Sequence, residues 1–430
     1  ARPDVRPGHW AIVPADELAP AWKIVTVGGA HPLQGDGGAL AIGLCGGAHV
    51  ANVEPADVTT LAMTGVTAMA RFTAKLMDRK GTTYPARDIA SWFEHTDYVH
   101  ISNEVSFVPT CEPSADRGQP FCSRESYIEL MEKVHANLVE LDGSHLDDFG
   151  SRFFAHTIDM YEQRGWHFFG GGRDQVEAAK PLVLADKAGT KLAFIGCNMP
   201  HSTGHWISNR PDVGYCDLAR IEYDIADLRN RGYTPIVSIQ HEEVYTHAPP
   251  DVVVHDFRRL AAAGAAVVFG SQAHVAHPFE VVDGAFVHYG AGNLFFDQTW
   301  NGARDATNDR FYFWKGRLLA VDHLFTRLEE AGRPRPMTAA ERAVFLKTLD
   351  DERAKLAPAN AWKAPHTAST AAIPDDFLVG KQPIAISVVV AGDTARVALR
   401  RGVPIKRAPL VAAIASFVTA KYGVAHVSVR

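Results

Sequence analysis

Residues 235–274 read PIVSIQHEEVYTHAPPDVVVHDFRRLAAAGAAVVFGSQAH, and the fold turns on this stretch. An apolar run at 235–239 ends in Gln-His-Glu-Glu, a proline-containing turn follows, and a helical pattern occupies 252–262. A second apolar run at 266–269 then ends in Gly-Ser-Gln-Ala-His. Short apolar runs on either side of a helix-length segment predict strand, helix, strand, the unit of a parallel sheet covered on both faces. In open sheets of this kind ligands gather beyond the carboxyl ends of the strands, where these polar clusters fall.

The same alternation extends outward. Strand patterns at 60–63, 98–101, 138–141 and 191–195 alternate with helical patterns at 67–77, 126–134 and 151–163. They predict one α/β domain over 58–356. Asp283-Gly284 between apolar runs at 280–282 and 285–289 is a hairpin signal. Thr338 with Glu341 forms a capping-box pattern ahead of a helical run at 342–349. Residues 1–57, broken by glycines, read as an accessory segment, and 357–382, rich in Ala, Pro, Thr and Lys, as a linker. A small C-terminal unit over 383–430 is expected to hold strands at 384–390 and 395–399 and a helix at 410–420. Such a division suits 430 residues, more than one core usually supports.

Forty-three basic against 49 acidic residues give a net charge of -6, with no concentrated Lys/Arg block, so nucleic acid is not an expected partner. Apolar runs stay short of the roughly 18 to 20 residues needed to span a bilayer. The sequence opens on Ala1-Arg2, which fits a processed, exported chain or a fragment. Among five cysteines, Cys111 and Cys122 bracket a short irregular loop, and Cys197 and Cys216 flank another. Disulfides Cys111–Cys122 and Cys197–Cys216 are expected, leaving Cys45 over. Gly170-Gly171-Gly172 lacks the Lys-Ser/Thr of a phosphate loop and reads as a turn.

Four strand ends carry ligand-capable groups. A lone histidine after a strand is usually structural, but separate strands delivering Glu104, His145, His241 and His274 point to a shared metal site. Imidazole and carboxylate suit Zn, Mn or Fe, and an open coordination position would hold an activated water. Asn103, Asp147 and Glu242 are neighbours suited to orienting such ligands. Glu243 or His277 would move protons, and Arg71 would grip an anionic substrate in its guanidinium fork unless it makes an ordinary ion pair.

These segments resemble the bacterial capsule-synthesis CapA family, the poly-gamma-glutamate capsule biosynthesis proteins grouped with calcineurin-like metallophosphoesterases. The resemblance rests on Ser102-Asn103-Glu104, on Gly143-Ser144-His145 with Asp148 and Gly150, on His241-Glu242-Glu243, and on 270–280. Its most specific part is Tyr289 through Gln298, including Gly292, Asn293, Asp297 and Gln298. It covers about 58–350 and implies a four-layer sandwich, two facing mixed sheets between helices, with small terminal segments added. It also implies metal ligands at Glu104, His145, His241 and His274, and an extracytoplasmic place in the export or anchoring of an anionic polymer.

The chain departs from the family pattern. Val66 stands where the family has a metal-binding Asp, Ser144 where it has Asn, and Gln272 where it has His. A mononuclear centre is therefore expected ahead of a binuclear one, or a centre rebuilt with Asp142, Asp147 or His277. The first expectation is a hydrolase in which metal-activated water attacks a phosphoester or amide of an anionic substrate. The alternative is a noncatalytic component that binds or transfers polymer within a membrane capsule-export assembly, or a cell-wall polysaccharide-binding module.

Overall fold

The computed structural model describes residues 17–26, 31–34, 53, 55–113, 120–186, 188–199, 213–300 and 302–356. It also describes the backbone of strands Leu378–Val379, Gln382–Pro383, Ala385–Ala391, Thr394–Leu399 and His426–Val429. Cys45, the helix expected over 410–420 and most of the linker lie outside the described residues.

In chain order the main elements are β1 (Val58–Met63), β2 (Val66–Thr67), α1 (Arg71–Lys80), β3 (Tyr98–Asn103), α2 (Ile128–Lys133) and β4 (Leu138–Glu140). They continue with α3 (Ser151–Glu162), β5 (His167–Phe169), α4 (Gln175–Ala178), β6 (Leu182–Ala185), β7 (Lys191–Asn198), α5 (Leu218–Asn230), β8 (Thr234–Gln240) and α6 (Asp251–Ala263). The last are β9 (Val267–Gly270), β10 (Phe279–Val282), β11 (Ala285–His288), β12 (Asn293–Phe295), β13 (Asp305–Trp314), β14 (Arg317–Glu329), β15 (Arg333–Pro336) and α7 (Ala339–Arg353).

Two mixed sheets face each other. In the first, β3 is flanked by β4 and β5 on one edge, and on the other by β1 along its first half and β2 along its second. Beyond β1 run the antiparallel β13, β14 and β15, and beside β2 lies β12. The second sheet has the order β10-β11-β9-β8-β7-β6, parallel in its centre with an antiparallel strand at each edge.

Strand alternation builds the layers, because successive side chains point to opposite faces. Leu61, Met63, Phe311 and Phe313 of the first sheet meet Phe194, Ile236, Phe269 and Phe286 of the second in the central core. The outward-facing Val99, Ile101 and Val139 are covered by Met77, Leu130, Met131, Phe154 and Ile158 of α1 to α3. Val237, Ile239 and Val268 are covered by Ile221, Ile225, Phe257 and Leu260 of α5 and α6. The result is the expected four-layer sandwich, helices outside and sheets inside.

The hairpin at Asp283-Gly284 forms, with both residues at positive φ (51° and 85°) as its two-residue turn requires. The Thr338–Glu341 capping box forms as well, and α7 runs longer than 342–349. Two local expectations change. The helix read over 67–77 starts at Arg71, because Val66 and Thr67 pair with β3 and β12 instead. The long β13–β14 hairpin was not legible: much of β13 is buried on both faces, which erases polar alternation, and its turn is Lys315-Gly316, both at positive φ.

Both expected disulfides are present, Cys111–Cys122 with Cα atoms 5.8 Å apart and Cys197–Cys216 at 5.0 Å. The first closes the loop whose Phe121 packs against the candidate site. Replacing Cys111 and Cys122 by serine is expected to cost about 2 to 3 kcal/mol through the freed loop entropy of the unfolded chain. Chemical denaturation checks this, and an unchanged midpoint with the same slope would reject it.

Candidate functional site

The site lies where the carboxyl ends of β3, β4, β7, β8 and β9 converge. On β3, His100 and Ser102 face the sandwich interior, and Glu104 continues that face. On β4 the interior face runs Leu138, Glu140, Asp142, while Val139 and Leu141 pack outward. On β8 the interior face runs Ile236, Ser238, Gln240, and Val237 and Ile239 pack under α6. Period two therefore sends Gln240 inward and His241 toward the helices.

Glu104 is buried, and both its oxygens are engaged: the Ser144 amide donates to Oε1 at 2.9 Å and Gln240 Nε2 donates to Oε2 at 2.6 Å. Gly143 permits this approach, since a Cβ there would lie 2.8 Å from Glu104 Cα and 2.9 Å from the Asn103 carbonyl oxygen. Burial pushes the Glu104 carboxyl above its ordinary pKa, against the pull of His145, Gln240 and His274. Asn103 turns away, donating to the Val105 carbonyl and to the Tyr161 hydroxyl.

His145 holds Asp148 through Nδ1 at 2.9 Å and lies against Phe121, with ring centroids 4.2 Å apart. Burial opposes a charge on its ring, yet Asp148, Glu104 and Glu243 raise its pKa above the usual imidazole value. His274 holds Asn293 Oδ1 through Nδ1 at 2.8 Å, and its Nε2 lies 3.5 Å from Glu243. Asn293 returns a bond to the His274 carbonyl at 3.0 Å and also reaches Gln298 Oε1 at 3.4 Å. Glu243, half exposed and bonded by the Tyr245 hydroxyl, is driven down to about 2, chiefly by His274.

The other candidates lie around this group. His241 Nε2 pairs with Asp256 of α6 at 3.1 Å, and among the described residues its buried Nδ1 has no partner. His277 donates Nδ1 to the Tyr289 carbonyl at 3.2 Å, and burial lowers its pKa to about 4. Asp147 and Gln272 are buried and Glu242 is partly exposed. Arg71 is sandwiched between Phe121 and Phe296 at 4.8 and 4.6 Å and pairs with Asp297, beneath the cluster rather than in open solvent. Gly292, at φ 83°, carries the chain into β12.

Below the cluster lies a buried polar chain that the sequence did not reveal. His100 Nε2 meets Glu140 at 2.9 Å, and Ser271 Oγ donates to Glu140 at 2.6 Å. No hydrogen-bond donor among the described residues reaches either oxygen of fully buried Asp142. Burial, then the charge of Glu140, raises the Asp142 carboxyl well above its ordinary pKa.

The structure thus brings Glu104, His145, His274 and Glu243 together, with Gln240 and Asn198 as participants missed in the sequence. Among the described residues, no group of three or more His, Cys, Asp or Glu side chains is arranged to hold a metal ion. Glu104 accepts one hydrogen bond on each oxygen, His145 and His274 are each anchored through Nδ1, so that a ligand would meet either ring at Nε2, and Val66 is buried with Val105, Phe121 and Phe296.

The family described as bacterial capsule synthesis protein, PGA_cap, matches residues 60–298. Capsule biosynthesis protein CapA of Bacillus anthracis is 21% identical over 292 residues, 65% of this chain and 70% of that protein. PGA biosynthesis protein CapA of Bacillus subtilis (strain 168) is 22% identical over 262 residues, 60% of this chain and 69% of that one. Among solved structures, the NAD nucleotidase of Haemophilus influenzae aligns with 68% of this chain and 56% of its own at 10% identity and a TM-score of 0.38, too distant a likeness to transfer anything.

Proposed function

This chain belongs to the bacterial capsule synthesis protein family PGA_cap, and from that premise we propose that it serves capsule formation at the cell envelope by binding or handing on an anionic polymer, without hydrolysing it. The observation that carries this reading is the consumption of Glu104 by two internal hydrogen bonds, from the Ser144 amide and Gln240. A carboxylate so engaged has its burial offset by protein donors on both oxygens, without a cation. The fold supports a place among metallophosphoesterase-like sandwiches, but the hydrolytic chemistry of such a fold has to be carried by its site.

His145 and His274 flank Glu104, each anchored through Nδ1, and Tyr245 lies over His274 with ring centroids 5.7 Å apart. This edge offers imidazole and phenol groups to a chain of carboxylates and amides such as poly-gamma-glutamate. Among the described residues no helix is long and apolar enough to cross a membrane.

Calorimetric titration with poly-gamma-glutamate, alongside sizing of the polymer, tests the proposal. Saturable binding with unchanged polymer length is expected, and the His145→Ala/His274→Ala variant should bind about tenfold more weakly, the loss of one good charge-assisted contact. Shortening of the polymer by the wild-type protein, or equal affinity of the variant, would reject it.

A further inference from the structure

Gln240 is fully buried, and its carboxamide ties the two sheets together. Its Nε2 donates to Glu104 Oε2 at 2.6 Å, while its Oε1 faces Ser144 Oγ at 3.3 Å and Asn198 Nδ2 at 3.4 Å. Asn198 also donates to the Asp142 carbonyl at 2.7 Å, and Ser144 closes the ring through its amide on Glu104 Oε1 at 2.9 Å. A buried carboxylate needs a cation or hydrogen bonds to offset its lost hydration. Here neutral amides and a hydroxyl provide the compensation from β4, β7 and β8.

We infer that Gln240 is a positioning residue that holds Glu104 in the place of a cation, making the strand-end centre a hydrogen-bonded clamp between the sheets. The inference rests on the metal-free binding reading above and adds the residue responsible for it. It has a constructive consequence. The terminal nitrogens of glutamine and histidine reach similar distances from Cα, so Gln240→His places a ring nitrogen beside Glu104. Val105, next to Glu104, bridges to His145, and Phe121 and Phe296, whose rings lie 4.2 Å from His145 and 5.4 Å from His274, pack together with Val105. One substitution then assembles three imidazoles and a carboxylate, a donor set suited to zinc.

The test uses the full chain, loaded with Zn2+ and dialysed against metal-free buffer, with metal content read by atomic emission. Wild type is expected to retain less than about 0.1 equivalent and Gln240→His about one, since a bound metal adds its binding energy to folding. A folded Gln240→His variant without added zinc overturns the inference and leaves the polymer-binding proposal standing. Wild type retaining a full equivalent overturns both. A second measurement needs no variant: the wild-type melting temperature should shift by less than about 1 °C between chelator and Zn2+, whereas a centre held by metal would shift several degrees. That larger shift would also overturn the clamp.

Discussion

At pH 7 the Asp309→Asn variant is expected to lose about 3 kcal/mol of unfolding free energy, the scale of a broken buried ionic hydrogen-bond network. Asp309 of β13 is fully buried and accepts from two histidines, His288 of β11 at 2.6 Å and His323 of β14 at 2.7 Å. It therefore joins one sheet to the other across the sandwich. Thr307 Oγ1 lies 3.3 Å from the other nitrogen of His288, consistent with His288 donating Nδ1–H to the carboxylate, and Phe279 stacks on His323 with centroids 3.9 Å apart. Asparagine keeps one acceptor but turns an NH2 group toward the second ring donor, so a donor faces a donor.

The pH dependence has a definite sign. Burial alone would raise the Asp309 carboxyl, but His288 and His323 hold it well below the usual carboxylate range. A folded pKa below the unfolded value of about 3.9 contributes stability above that value and loses it as pH falls through the folded pKa. The gap between wild type and Asp309→Asn should thus be constant near neutrality and narrow in acid below about pH 4. Urea titrations at pH 7 and at the acid limit of the folded protein measure it. A gap that stays the same in acid would assign the loss to packing rather than to the carboxylate.

Gly65→Ala is expected to cost about 3 kcal/mol or more, at the upper end for overpacking, because the obstruction is backbone. A Cβ at Gly65 would sit 2.1 Å from the Gly292 carbonyl oxygen, which also accepts the Val66 amide at 2.9 Å. Relief requires β12 to move off β2. Since β12 begins at Asn293, the partner of His274, the displacement reaches the candidate site. The variant should show both a lower denaturation midpoint and weakened polymer binding; a normal midpoint would mean that β12 is free to shift without cost.

Much of the fold was legible because strands and helices differ in period. The α/β alternation, the Asp283-Gly284 hairpin, the Thr338–Glu341 cap and the two disulfides depend on residues near one another in sequence, where local stereochemistry speaks directly. The β13–β14 hairpin did not speak, because a strand covered on both faces carries no alternation and its Lys315-Gly316 turn is a weak signal. The site divided in the same way. Glu104 and His145 were visible at strand ends, and the structure places them together with His274.

His241 and Gln240 show where sequence reading stopped. Imidazole is the better ligand, so the pattern favoured His241. Period two along β8, fixed by Ile236 facing the central core and Val237 facing α6, also points Gln240 inward onto Glu104, a contact the pattern did not disclose. Which strand ends carry polar groups follows from hydrophobic periodicity, a property of the chain. Which of those groups meet depends on how the two sheets are brought face to face, because the partners of Glu104 come from β8 and from the loop after β4.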